Sequence, residues 1–169
     1  GRGGIRPLEF KTFSKEMQNA ITNYCQAGGN FFVSGAYVAS DLWDNRLVKA
    51  NEEDKKFAME VLKYKWRVGQ AARNGKVKSV TSPFPEITGS YTYYQDLNPE
   101  SYVVESPDAL EPAAQGAFTI LRYSENNLSA GIAYKGNYKT CVLGFPFEAI
   151  RTVTERELLM KAILTFFEH

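Results

Sequence analysis

The sequence predicts an α/β domain, helix-rich at both ends and β-rich in the middle, and three observations predict it. An amphipathic stretch from residue 14 to 27 stops at Gly28-Gly29 and is followed at once by the apolar run Asn30-Phe31-Phe32-Val33-Ser34-Gly35. From Trp66 onward, short apolar and aromatic runs are cut by Pro, Asn and Gly at the spacing of strands and turns. The last of these runs, Cys141-Val142-Leu143, empties into Gly144-Phe145-Pro146-Phe147-Glu148 ahead of a capped C-terminal helix. A strand running into an acid-bearing turn before a helix is where an α/β sheet usually keeps its chemistry.

The first helix, 14–27, takes Ser14 as its N-cap and places Met17, Ile21, Tyr24 and Cys25 on one face. The run 30–35 alternates little, as a strand covered on both faces does, so it is expected at the centre of a sheet. Gly35 then permits a sharp turn, after which Ala36 to Trp43 begins a helix. Another helix is expected over 51–63: Glu52, Glu53 and Asp54 suit its N-terminal dipole, and Phe57, Val61, Leu62 and Tyr64 form its stripe.

Asn74-Gly75 is a strong hairpin signal and is expected to join strands over 66–72 and 76–80. Further strands are predicted over 90–95, 102–105, 118–123, 129–134 and 138–144, the last two forming an antiparallel hairpin about Lys135-Gly136-Asn137. Ser106 to Gln115, with Pro107 and Pro112, reads as a long surface loop. Thr154-Glu155-Arg156-Glu157 has capping-box spacing, and Leu159, Ile163 and Phe166 supply the stripe of the closing helix.

Length and charge narrow the possibilities. At 169 residues the chain is about one domain. Residues 1–13 read as an N-terminal arm or a cleavage-derived start, and 14–169 as one domain; a start without Met points to a longer natural chain. Lys plus Arg total 20 against 19 for Asp plus Glu, so no electrostatic footprint for nucleic acid is present. No apolar stretch reaches the roughly 20 residues of a membrane span, and Gly1-Arg2-Gly3-Gly4 lacks the apolar segment of a signal peptide. Cys25 and Cys141 lie in apolar patterns and read as buried thiols. With His169, they are the only Cys or His residues, too few and too far apart for structural zinc. No Walker or GxGxxG spacing occurs, so no metal and no cofactor is expected.

Two segments carry a family resemblance. Ala27-Gly28-Gly29-Asn30-Phe31-Phe32-Val33-Ser34-Gly35 and Tyr138-Lys139-Thr140-Cys141-Val142-Leu143-Gly144-Phe145-Pro146-Phe147-Glu148 resemble the class I glutamine amidotransferase-like domain of bacterial secreted proteins labelled xanthan lyases. Asn98 to Tyr102 and the region from Arg122-Tyr123 to Ala133-Tyr134 fit the same pattern, so the resemblance spans most of 14–167. It implies a three-layer αβα sheet of flavodoxin-like type, mixed, with an antiparallel second half. It also implies a secreted, periplasmic or cell-surface location. In true amidotransferases a Gly-x-Cys-x-Gly elbow supplies a thiolate, and a His and a Glu after the last strand activate it. Here the elbow region reads Val33-Ser34-Gly35-Ala36-Tyr37-Val38, without Cys, and the terminal turn has Glu148 but no His. A carboxylate whose task is to orient an imidazole cannot replace the whole triad.

The candidate catalytic residues are therefore Glu148, Tyr37 and Ser34, and the candidate ligand-binding residues Gly35, Tyr37, Asp41, Glu148 and Arg151. Each has a plainer reading. Ser34 lacks the Gly-x-Ser-x-Gly frame and reads as a strand-end hydroxyl bonded to backbone. Asp41, Asp44, Glu86, Glu111 and Glu148 could include a carboxylate pair, but among 19 acids solvated carboxylates are the default. Glu148 could enter the helix turn or pair with Arg151. Tyr91, Tyr93 and Tyr94 could stack on sugars, although their alternation suits one packed face of a strand. Two functions are consistent with this. The first is a non-catalytic accessory domain contacting polysaccharide or adjoining domains; the alternative is a polysaccharide lyase or hydrolase using carboxylate and Tyr chemistry at the strand ends.

Overall fold

Ser14 caps the first helix, its Oγ accepting the Met17 N–H, and α1 (Lys15–Gln26) buries Gln18, Ile21 and Cys25. Met17 and Tyr24, expected on that inner face, are exposed: the buried stripe is rotated toward Gln18, whose amide donates to Phe13 O and Asp54 Oδ1. The computed structural model describes residues 11–44, 51–95 and 103–169. Most of the expected arm 1–13 and the segment 98–102 lie outside the described residues.

The chain continues through β1 (Phe31–Ser34), a single turn α2 (Ser40–Trp43), and α3 (Glu52–Phe57), which widens into a π turn over Ala58–Leu62. Lys63, in the left-handed region at φ 67°, ends it. Tyr64 therefore opens β2 (Tyr64–Val68) instead of closing a helical stripe. The remaining strands are β3 (Lys76–Ser79), β4 (Ser90–Thr92), β5 (Ala109–Pro112), β6 (Ala117–Tyr123), β7 (Ser129–Lys135) and β8 (Lys139–Leu143). A 3-10 turn, Phe147–Ala149, leads to α4 (Val153–Glu168). The N-cap of α4 is Thr152, whose Oγ1 accepts the Glu155 N–H, two residues before the cap expected from Thr154-Glu157.

Six strands form one mixed sheet in the order β1-β8-β7-β6-β3-β4. β1 runs parallel to β8, and every other pairing in that sheet is antiparallel. β1 is consequently an edge strand of half-buried residues, not the central strand its apolar run suggested. The sheet is thus mixed, with the antiparallel second half that was expected. The β7–β8 hairpin forms as expected, Lys135 opposite Lys139.

Two other expectations fail for one reason, a second small sheet. β2 pairs antiparallel with β5, Lys65 opposite Glu111, so it forms no hairpin with β3. Asn74-Gly75 instead carries the chain from one sheet to the other. Gly75, at φ +62°, passes so close to β4 that a Cβ would lie 2.5 Å from Tyr93 O. β5 occupies the middle of the segment read as a surface loop, where Asp108, Ala109 and Leu110 are completely buried. Residues 103–105 carry no strand.

The large sheet is covered on both faces. On β8, Cys141 and Leu143 share a core with Leu159, Ile163 and Phe166 of α4, while Val142 between them joins Ile21, Cys25, Leu42, Phe57 and Leu62 from α1 to α3. This is the period-two alternation of a strand buried on both sides. Each large apolar side chain so buried contributes about 1.5–3 kcal/mol. Among the described residues no helix is long and apolar enough to cross a membrane.

Candidate functional site

Parallel pairing of β1 with β8 brings together the two segments that the sequence singled out. Ser34 lies beside Leu143 in register, the Gly35 N–H donates to Leu143 O at 3.2 Å, and Ser34 Oγ accepts the Phe147 N–H at 3.1 Å. The space where a site would open is filled by aromatic rings. Phe145 is fully buried and stacks on Tyr93 with centroids 5.0 Å apart, and Phe147 packs edge-on against Phe32 at 6.0 Å. Glu148 is exposed on the 3-10 turn. Arg151 places its guanidinium over the Tyr94 ring at 5.2 Å and donates its N–H to Thr92 O. Ser34 therefore fastens the turn to the sheet, which is a structural use of its hydroxyl.

A polar hollow of about 550 Å³ lies elsewhere, between α2 and the end of β2, with Tyr37, Ser40, Asp44, Gly69, Glu105 and Ser106 in its wall. Tyr37 is 43% exposed at its rim, whereas Asp41 is turned away, its Oδ2 accepting both the N–H and the hydroxyl of Thr12. Beneath the wall sits Asp108. Its Oδ2 accepts from the Ala39 N–H at 2.9 Å, the Ser40 N–H at 2.8 Å and Ser40 Oγ at 3.1 Å. Its Oδ1, which with Ser106 Oγ and the Trp66 ring surrounds the Cβ side of Gly69, is buried and has no hydrogen-bond partner among the described residues.

Burial raises the Asp108 carboxyl to about 7, against the opposing pull of the Ser40 and Ala39 N–H groups, the Ser40 hydroxyl and the Trp66 indole. The indole N–H nevertheless closes no hydrogen bond of proper geometry. The backbone of Asp108 is anchored as firmly: its N–H donates to Gly144 O at 2.7 Å, and its carbonyl accepts the Tyr123 hydroxyl at 2.7 Å. The hollow thus offers hydroxyls, carboxylates and a phenol around a rigid floor, a lining suited to hydrogen-bonding a polyhydroxylated ligand. Neither thiol suits nucleophilic work, since burial pushes both Cys25 and Cys141 up. Among the described residues no group of three or more His, Cys, Asp or Glu could hold a metal.

The other sequence candidates are dispersed. Glu86 is exposed, Asp44 is buried in the hollow's wall, and Glu111 pairs with Lys65 and Arg67 on the small sheet. Tyr91 and Tyr93 are buried in the core. Asp108 escaped the sequence reading because Pro107 and Pro112 bracket it as a loop, and the one sign of its burial was the adjacent Ala109-Leu110 pair.

No protein-family profile matches this sequence, and no curated protein matches it. Among solved structures, the fold is similar to a beta-galactosidase from Rahnella sp. R3, with a TM-score of 0.61 at 12% identity. The match covers 91% of this chain and 21% of that one. The chain thus spans about a fifth of the enzyme's length, and at this identity the likeness concerns the fold. The amidotransferase-like resemblance is overturned: no family profile supports it, a beta-galactosidase is among the similar structures, and this chain's own sheet is mixed and mostly antiparallel.

Proposed function

We propose that this chain is an accessory domain of a larger carbohydrate-active protein, which holds saccharide hydroxyls in the hollow above Asp108 and carries out no bond-breaking chemistry itself. The observation that carries this reading is the fold match, extending over 91% of the chain but only 21% of a beta-galactosidase. It favours one body over 14–169 working beside other domains of a longer chain. A three-layer arrangement, α1 to α3 on one face of the sheet and α4 on the other, is part of the same proposal and is supported by the two separate cores. The aromatic filling between Ser34 and Glu148 argues against catalysis at that turn.

Calorimetric titration with a panel of neutral oligosaccharides, galactosides included, tests the reading. Binding that Tyr37→Ala weakens is the expected result, since Tyr37 is the exposed ring at the hollow's rim. Silence across the panel removes the saccharide role, and turnover of any member removes the non-catalytic one.

A further inference from the structure

A second recess, of about 440 Å³, opens between the small sheet and strands β6 and β7, apart from the Asp108 hollow. Lys65 and Arg67 both come from β2, Arg67 at the register break between Trp66 and Val68, and Arg122 joins them from β6. Among the described residues the lining has one carboxylate, Glu111, directly opposite Lys65, and both cations of β2 converge on it: Lys65 Nζ at 3.4 Å and Arg67 Nη1 at 3.2 Å. Three cations against one carboxylate leave an excess of two positive charges here, in a chain whose formal net charge is +1.

The donors are only partly used. A guanidinium has five N–H groups. Arg67 gives one to Glu111, and Arg122 gives one to Asn127 O at 2.8 Å, a bond that also holds the arginine toward the β6–β7 end. Among the described residues no aromatic ring lines the recess, so they give it no platform for stacking a sugar ring. What it presents is two guanidinium forks and an ammonium, the donor set that matches planar or tetrahedral oxyanions. Its size falls within the range of small-molecule sites.

We propose that this recess binds a small ligand through an oxyanion, a carboxylate or a phosphate, held between Arg67 and Arg122 with Lys65 as a third contact. The site is independent of the saccharide reading and stands or falls separately from it.

The test is an amide-resolved NMR titration of the whole chain with inorganic phosphate, with glucuronate and with glucose. Phosphate or glucuronate should shift amides of 65–67 and 119–129, and the tighter of the two identifies which oxyanion source the recess prefers. Glucose should leave these amides in place. Arg122→Gln should weaken the anion by about tenfold or more, the usual effect of losing a charge-assisted hydrogen bond. Added salt should weaken it as well. If Arg122→Gln unfolds, Lys65→Gln on the exposed strand serves as the second variant. The proposal is overturned if about 10 mM of either anion moves none of these amides, if glucose moves them equally, or if a folded variant binds the anion as the parent does.

Discussion

Asp108 crosses directly over Gly144. The Asp108 N–H donates to Gly144 O at 2.7 Å, and a Cβ built on Gly144 would lie 2.0 Å from Asp108 O. The first residue of the terminal turn is thus glycine because the backbone of Asp108, just ahead of β5, passes over it, and this crossing joins the end of the large sheet to the start of β5.

Gly144→Ala should therefore be among the costlier single changes in the chain. The atoms in the way are backbone, Asp108 O and C, with the Tyr123 hydroxyl beyond them, so no side-chain rotation relieves the overlap. Overpacking of this kind costs about 3 kcal/mol or more. Gly35→Ala is the control, since nothing lies within 4 Å of a Cβ there. Thermal melts of the two variants should differ widely, and equal melting temperatures would refute the crossing as the reason for Gly144.

The carboxyl of Asp108 sets a pH dependence. Burial raises it from 3.8 to about 7, so the folded chain holds a proton that the unfolded chain releases at lower pH. Stability from this group is complete below about pH 4, declines as pH rises toward 7, and is level above that, a total change of up to about 4 kcal/mol. In Asp108→Asn the group cannot ionise, and the decline between pH 4 and 7 should disappear from denaturant midpoints. A decline of the same size in the variant would show that other groups produce it.

Ser34→Ala separates a structural hydroxyl from a nucleophile. Its Oγ accepts the Phe147 N–H at 3.1 Å, so the substitution leaves a half-buried donor unpaired and should cost about 1 kcal/mol. The loss should be visible in a denaturant melt, and any hydrolytic activity of the parent should survive in the variant. Unchanged stability together with abolished hydrolysis would reverse the assignment.

What the sequence revealed about this fold depended on how local each signal was. The β7–β8 hairpin and the stripe of α4 follow from neighbouring residues, and both formed where expected. The meeting of Ser34 with the turn after Leu143 was expected only through the amidotransferase-like resemblance, which does not hold; nothing local to either segment specifies their parallel pairing. The edge position of β1 was not legible: an apolar run such as Phe31-Phe32-Val33 looks the same at an edge as at the centre when helices cover it. Nor was β5, because Pro107 and Pro112 read locally as loop residues while its pairing with β2 is a contact over more than forty positions. Asp108 was hidden with it, and so was the floor of the hollow.

Two tyrosines that lie close together in the core should respond differently to the same change. Tyr123 donates its hydroxyl to Asp108 O at 2.7 Å, supporting the backbone that crosses Gly144. Tyr93 buries a hydroxyl with no partner among the described residues while its ring stacks on Phe145. Removing a bonded hydroxyl leaves an acceptor unsatisfied, whereas removing an unbonded one ends a desolvation penalty. Tyr123→Phe should thus lower stability by about 1–2 kcal/mol, and Tyr93→Phe should leave it unchanged or raise it by about 1 kcal/mol. Because both variants keep the ring, packing is common to the pair and only the hydroxyl differs. Chemical denaturation of both, at one pH well below tyrosine ionisation, decides it; a loss at Tyr93 as large as that at Tyr123 would mean that the Tyr93 hydroxyl has a partner after all.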